Sequence, residues 1–299
     1  MESEFRSDST LSSSVKLGVY TLPNRIVMAP MSCLSARYNL SISGIVDYYA
    51  TKASAGLIVT DPTLISPLEG FDNCPGIYTR QQIEKWREIT EAVRDRGGKI
   101  FLQLWYCEDK SSFCQLGESL HINGLAIDKD LYAVVRLFRR AAQNALAADF
   151  DGVEIHAAFG YMDEHDFKPS LRFSHDFQQQ IELLTRIIEE VASVWDEDRV
   201  GIRITPEFTL FNPKESNLLN YIHNLFDAFN FYDVAYVHLV QSANIQGVDR
   251  QVFSVLTSML RSIYHGVMIS SCQNDLRKGR EAIAEGTADL ISFNSSVAC

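Results

Sequence analysis

The chain has 299 residues, 46% hydrophobic and 22% charged, with a formal net charge of −11. The composition is that of a globular protein; the acidic balance argues against nucleic acid and anionic membranes as partners, and no apolar run is long enough to cross a bilayer. The six cysteines are scattered with no CxxC pair, which fits free thiols in a reducing cytoplasm and gives no zinc pattern. Met1 to Ser14 is polar and serine-rich and reads as a disordered tail ahead of one domain over residues 15–299. Val15 to Leu22 alternates around Gly18 and predicts a small hairpin. Arg25 to Pro30 predicts a buried strand, Ser43 to Ala55 a helix with Ser43 as its cap, and Gly56 to Asp61 a second strand. Thr79 to Arg96 predicts an amphipathic helix ending at Gly97-Gly98, and Lys99 to Trp105 a third strand. Asp128 to Ala148 predicts a long helix, and residues 152–158 a fourth strand. Helices then alternate with strands: Asp176 to Trp195, Val200 to Thr205, Ser216 to Phe229, Val234 to Val240, Asp249 to Tyr264, Val267 to Ser271, Asp275 to Glu285 and Asp289 to Phe293.

Eight strands alternating with helices require parallel pairing with crossovers, and in a chain of this length favour a single closed (β/α)8 barrel over an open doubly wound sheet. The open sheet would carry a glycine fingerprint after its first strand, and none is present. The chain runs only six residues past Phe293, so the C-terminal end reads as truncated.

Active sites of such barrels lie at the C-terminal strand ends. The two-residue period of a strand turns Leu102, Leu104, Val153, Ile155, Ile202 and Ile204 toward the helices. It turns Gln103, Trp105, Glu154, His156 and Arg203 inward. Ser32 and Asp61 sit at the ends of the first two strands, and Tyr161 follows the fourth. An imidazole and a phenol near one turn suit a carbonyl-binding donor and a proton donor, although Gly152 to Tyr161 taken alone fits a packed core histidine and tyrosine first. An inward guanidinium needs an anionic partner, which is either a ligand or one of Glu154 and Asp61.

The segments Leu22 to Pro30, Tyr48-Tyr49, Ala53 to Ile58, Pro75 to Tyr78, Phe101 to Trp105, Gly152 to Tyr161 and Val200 to Arg203, in this order, resemble the old yellow enzyme family of FMN-dependent ene-reductases. The resemblance implies a TIM barrel with FMN in its mouth, reduced by a nicotinamide such as NADPH and passing hydride to a small α,β-unsaturated carbonyl compound. It implies that Ser32, Gln103 and Arg203 contact the flavin ring, with Pro30, Asp61, Ser271, Asn294 and Ser295 lining the rest of the cofactor site. His156 then matches a donor to the substrate carbonyl and Tyr161 the acid that protonates the α-carbon, with Trp105, Tyr106 and Phe159 bordering the substrate.

Four departures stand out. Phe159 replaces a second carbonyl donor, whose loss costs on the order of 10²-fold in rate. Phe293-Asn294-Ser295 and Ser270 to Gln273 replace the Arg- and Gly-bearing loops that hold the flavin phosphate. Met162 to Phe177 lacks the family's substrate-mouth segment, and Tyr106 to Asp109 makes a basic rim acidic. The degenerate phosphate half leaves an alternative: a flavin-free, redox-neutral isomerase or cyclase using His156 and Tyr161 with Asp163 or His165, although the last two read first as solvated loop residues.

Overall fold

The computed structural model describes residues 11–30, 42–68, 74–108, 124–157, 160–163, 166–169, 177–204, 218–240, 250–272 and 275–293. Strands Ile26–Met28, Leu57–Val59, Ile100–Trp105, Gly152–His156, Val200–Ile204, Tyr236–Leu239, Met268–Ser271 and Leu290–Phe293 pair in parallel in that order, and the last pairs with the first. The sheet thus closes as a (β/α)8 barrel. Helices Ile42–Ala50, Arg80–Arg94, Gly124–Ala147, Phe177–Trp195, Leu218–Phe231, Arg250–Ile263 and Leu276–Ala284 form the seven crossovers between successive strands.

Strand parity divides the core into two. Leu102, Leu104, Val153, Ile155, Ile202 and Val237 pack outward against the helices. Val27, Leu57, Val59, Phe101, Tyr236, Ile269 and Leu290 pack inside the lower barrel. There they meet Leu17 and Leu22 of the antiparallel hairpin Val15–Leu17 and Tyr20–Leu22, which closes the N-terminal end. Two glycines make this inner layer possible. A Cβ at Gly152 would lie 2.4 Å from the Phe101 ring, and one at Gly201 would lie 2.2 Å from the Tyr236 ring. Their inward positions are therefore reserved for the two aromatic rings, which tilt against each other at 5.9 Å.

Several expectations are corrected. Ser43 does not cap its helix, because the helix already begins at Ile42. The third crossover helix starts at Gly124, ahead of the expected Asp128. The stretch expected as a tail reaches the fold at its described end: Leu11 is buried against Ala288, Ile291 and Phe293, and its carbonyl accepts from Arg25 N at 2.8 Å. The largest difference follows the fourth barrel strand. Gly160–Asp163 and Asp166–Pro169 form an antiparallel pair, and Gly160–Asp163 also lies parallel to Cys107–Glu108. Tyr161 therefore belongs to a strand, in register with Lys168 and Glu108, and not to a turn. The expected truncation after Phe293 falls on residues outside the described set.

Candidate active site at the barrel mouth

Above the apolar floor, the inward positions change character. Gln103 and Glu154 are register partners on adjacent strands, and Arg203 is the register partner of both His156 and His238. The Gln103 amide donates through Nε2 to Glu154 and accepts from Arg203 Nη1 through Oε1 at 3.2 Å. The second Glu154 oxygen lies 2.9 Å from His238 Nδ1, and His238 Nε2 lies 2.9 Å from Ser292 Oγ. Gln103, Glu154, His238 and Ser292 are all buried. One polar network thus crosses the barrel interior through five of its strands.

The electrostatics follow from this enclosure. Burial alone would raise the Glu154 carboxyl, but the His238 and Arg203 charges and the bonds from His238 and Gln103 outweigh it and hold the group below the usual carboxylate range. Burial lowers the Arg203 guanidinium, and Glu154 opposes that shift. Burial first, and the Glu154 charge second, raises the Tyr236 phenol well above its ordinary value. The Tyr236 hydroxyl lies near this carboxylate but without the geometry of a full hydrogen bond. Arg203 lies deep in the mouth yet keeps part of its surface open. Its Nε is buried and has no hydrogen-bond partner among the described residues.

The structure brings some expected site residues together and separates others. Gln103, Arg203 and His156 lie side by side on neighbouring strands, and the Trp105 ring meets the His156 ring edge-on at 6.4 Å. Of the two anions weighed as partners for Arg203, Glu154 supplies the electrostatic coupling. The Asp61 carboxylate is buried at the end of its strand, within 3.4 Å of the Tyr49 hydroxyl. Gln103 has no surface open to a ligand in this arrangement, because its amide is enclosed between Glu154 and Arg203. A ligand entering the mouth therefore meets Arg203 before Gln103. Tyr106 is partly buried against the outer core, on the opposite side of the chain from Trp105. Pro30, just past its strand, and Ser271, the last residue of its strand, are half-buried. Ser32, Phe159, His165, Asn294 and Ser295 lie outside the described residues. For Tyr161 and Asp163 the backbone position alone is described.

His238 and Ser292 were missed by sequence reasoning, although the signal was present. His238 stands between the outward Val237 and Leu239, and Ser292 between Ile291 and Phe293. The alternation that selects Gln103 and Arg203 selects both of these as well.

A parallel eight-stranded barrel with an inward guanidinium at its C-terminal mouth narrows the possible families, and comparison with known proteins decides among them. Residues 11–297 match the NADH:flavin oxidoreductase / NADH oxidase family. The chain belongs to this family. Among its relatives, 12-oxophytodienoate reductase 1 of Oryza sativa subsp. japonica is 29% identical over 93% of this chain and 80% of its own length. The 12-oxophytodienoate reductase 2 of Arabidopsis thaliana is 25% identical over 98% of this chain and 87% of its own. The old yellow enzyme structure from Trypanosoma cruzi superposes with a TM-score of 0.75 at 28% identity, covering 96% of this chain and 88% of that one. The protein is thus an old-yellow-enzyme-type oxidoreductase of the ene-reductase kind. These comparisons lend the flavin-free isomerase or cyclase no support. No helix among the described residues is long and apolar enough to cross a membrane.

Proposed function

We propose that this family member is an FMN-dependent ene-reductase acting on small α,β-unsaturated carbonyl compounds, with NADPH as reductant. The observation that carries the reading is Arg203. Its buried Nε has no partner among the described residues, at the C-terminal end of the strands, where active sites of such barrels lie. A buried guanidinium donor without an acceptor suits an electron-rich ligand edge. When bound, the flavin supplies reversible hydride storage, refilled from the nicotinamide.

The chain's own residues then divide the remaining work. Arg203 holds the polar edge of the ring system, backed by Gln103 and Glu154. Pro30, Ser32, Ser271, Asn294 and Ser295 are the further cofactor contacts in this reading; Asp61, buried beside the Tyr49 hydroxyl, supports the site from behind. His156 donates to the substrate carbonyl and Tyr161 delivers the proton to the α-carbon. Trp105 walls the site beside His156, with Phe159 as its other aromatic border; Tyr106, turned to the outer core, takes no part. A cytoplasmic setting accords with the free thiols of Cys74, Cys107 and Cys272.

The deciding experiment is a visible absorption spectrum of the purified protein, before and after incubation with FMN and removal of excess. Oxidised-flavin bands that remain with the protein, and bleach under NADPH, support the reading. A colourless protein that takes up no FMN overturns it.

A further inference from the structure

The network beneath Arg203 has a direction that its chemistry imposes. An ionised carboxylate accepts hydrogen bonds only, and a guanidinium donates only. Gln103 stands between the two, giving Nε2–H to Glu154 and taking Arg203 Nη1–H on Oε1 at 3.2 Å. The reversed amide would set oxygen against carboxylate and NH2 against guanidinium. Gln103 therefore has one workable orientation, dictated from below. On its far side Glu154 is anchored by His238 Nδ1 at 2.9 Å, and His238 in turn by Ser292 at 2.9 Å. Glu154, Gln103 and His238 show no exposed surface, so solvent cannot replace any of these contacts.

We infer that Glu154 is a positioning residue that fixes the Gln103 amide as a one-way relay and, through it, sets the placement and net charge of Arg203. Its effect on a flavin rests on the function proposed above; its effect on Gln103 and Arg203 does not. The carboxyl's lowered pKa, in which the His238 and Arg203 charges and the hydrogen bonds outweigh burial, keeps it ionised at neutral pH, as the relay needs.

The relay makes two predictions that an inert packing role does not. In Glu154→Gln the new amide has two ways to meet its neighbours. With its oxygen on His238 and its NH2 on Gln103, Gln103 must turn its own NH2 onto Arg203, which leaves buried donors facing each other. With its NH2 on His238 Nδ1, His238 must be neutral with its proton on Nε2 toward Ser292. Either way Arg203 is left without its buried anion and the charge-assisted bonds to the carboxylate are lost. In the exchanged pair Gln103→Glu/Glu154→Gln every contact is satisfied again. The carboxylate now at position 103 accepts both from Arg203 and from the amide NH2 at position 154, whose oxygen faces His238. The anion has moved next to Arg203. The same three proteins differ in how strongly a negative charge offsets Arg203: not at all in Glu154→Gln, at one side chain's remove in wild type, and directly in the exchanged pair. A reduced, anionic flavin is therefore stabilised most in the first and least in the last.

The test uses the full chain as wild type, Glu154→Gln and the exchanged pair. Each is melted without flavin, and each is loaded with FMN for measurement of its midpoint potential. The relay requires Glu154→Gln to melt roughly 2–5 °C lower and the exchanged pair to recover most of that loss. It requires midpoint potentials to fall in the order Glu154→Gln, wild type, exchanged pair. Equal potentials in the three loaded proteins overturn the inference, as does an exchanged pair that melts no higher than Glu154→Gln. If Glu154→Gln does not fold, a folded exchanged pair with a potential below wild type supports the relay, and an unfolded one overturns it. If wild type takes up no FMN, the proposed function fails, and the melting order alone decides the relay.

Discussion

The floor of the site offers the sharpest test of how this barrel is filled. Replacing Gly201 with Ala adds one methyl group directed into the barrel. Its carbon would lie 2.2 Å from Cζ of Tyr236, 2.4 Å from Cε2 and 2.7 Å from Cε1. Ordinary van der Waals contact begins near 3.4 Å, so the ring must retreat by about 1 Å. It has little room, because Tyr236 is fully buried and the Phe101 ring sits behind it at 5.9 Å. Phe101 is itself held against Gly152. Overpacking of this kind costs about 1–3 kcal/mol, and a pinned ring places the loss at the upper end. In thermal terms that is roughly 3–5 °C for a chain of this length. The assay is a double-mutant cycle read by urea and thermal midpoints, with Gly201→Ala, Tyr236→Leu and the pair. Tyr236→Leu alone leaves a void and is destabilising. In the pair the leucine gives the new methyl its space, so the loss falls short of the sum by about 1–2 kcal/mol. A Gly201→Ala protein as stable as wild type, or strictly additive losses, would refute the account of Gly201 as the recess for Tyr236.

Buried and half-buried phenols make the fold sensitive to base. Burial, followed by bonding to Glu189, pushes Tyr232 up to about 12, and Tyr264 and Tyr236 are raised by burial too. A phenol with a raised folded pKa stabilises the fold fully below its unfolded value of 10.0 and loses that stabilisation as pH climbs through the folded value. Tyrosinate absorbance should therefore lag until alkaline unfolding, and titration of all tyrosines near 10 would contradict this. At the acid end the sign reverses. Glu154 has a lowered folded pKa, so its stabilisation is present above the unfolded value of 4.5 and lost as pH falls through the folded one. Glu154→Gln should flatten the acid limb of the melting curve, and an unchanged limb would count against an ionised Glu154. Burial, reinforced by Asp275 and opposed by Lys278, pushes the Cys272 thiol up to about 11. Its peptide should alkylate far more slowly than an exposed thiol at pH 8 when read by mass spectrometry, and rapid labelling would show that the site opens. Tyr161→Phe should lower kcat about 10²–10⁴-fold with ligand affinity unchanged; undiminished turnover would remove Tyr161 from the mechanism.

How much of this was legible in the sequence depends on whether a residue's environment is set locally. The barrel strands were readable because each buries two faces against different layers, and alternation such as Leu102-Gln103-Leu104 records that directly. The inward set was likewise readable, and His238 and Ser292 were within reach of the same parity. What the sequence did not record is which inward groups bond to one another. Arg203 had two anionic candidates, and only the register of Val200–Ile204 against Gly152–His156 brings Glu154 close to it. The hairpin at Gly160–Asp163 was hidden for a related reason. Its strands are short, carry Pro169 and acidic residues, and take their order from a pairing with distant Cys107–Glu108. Function in this barrel therefore depends on long-range pairing more than on motif. Gln103 shows the consequence: its inward direction follows from its own strand. Its role as a buried support for Arg203, and not as a surface open to ligand, follows from Glu154, His238 and Ser292 on three other strands. A chain that kept Gln103, His156 and Arg203 but lost Glu154 would keep the residues that point to a ligand and present a different charge at its mouth.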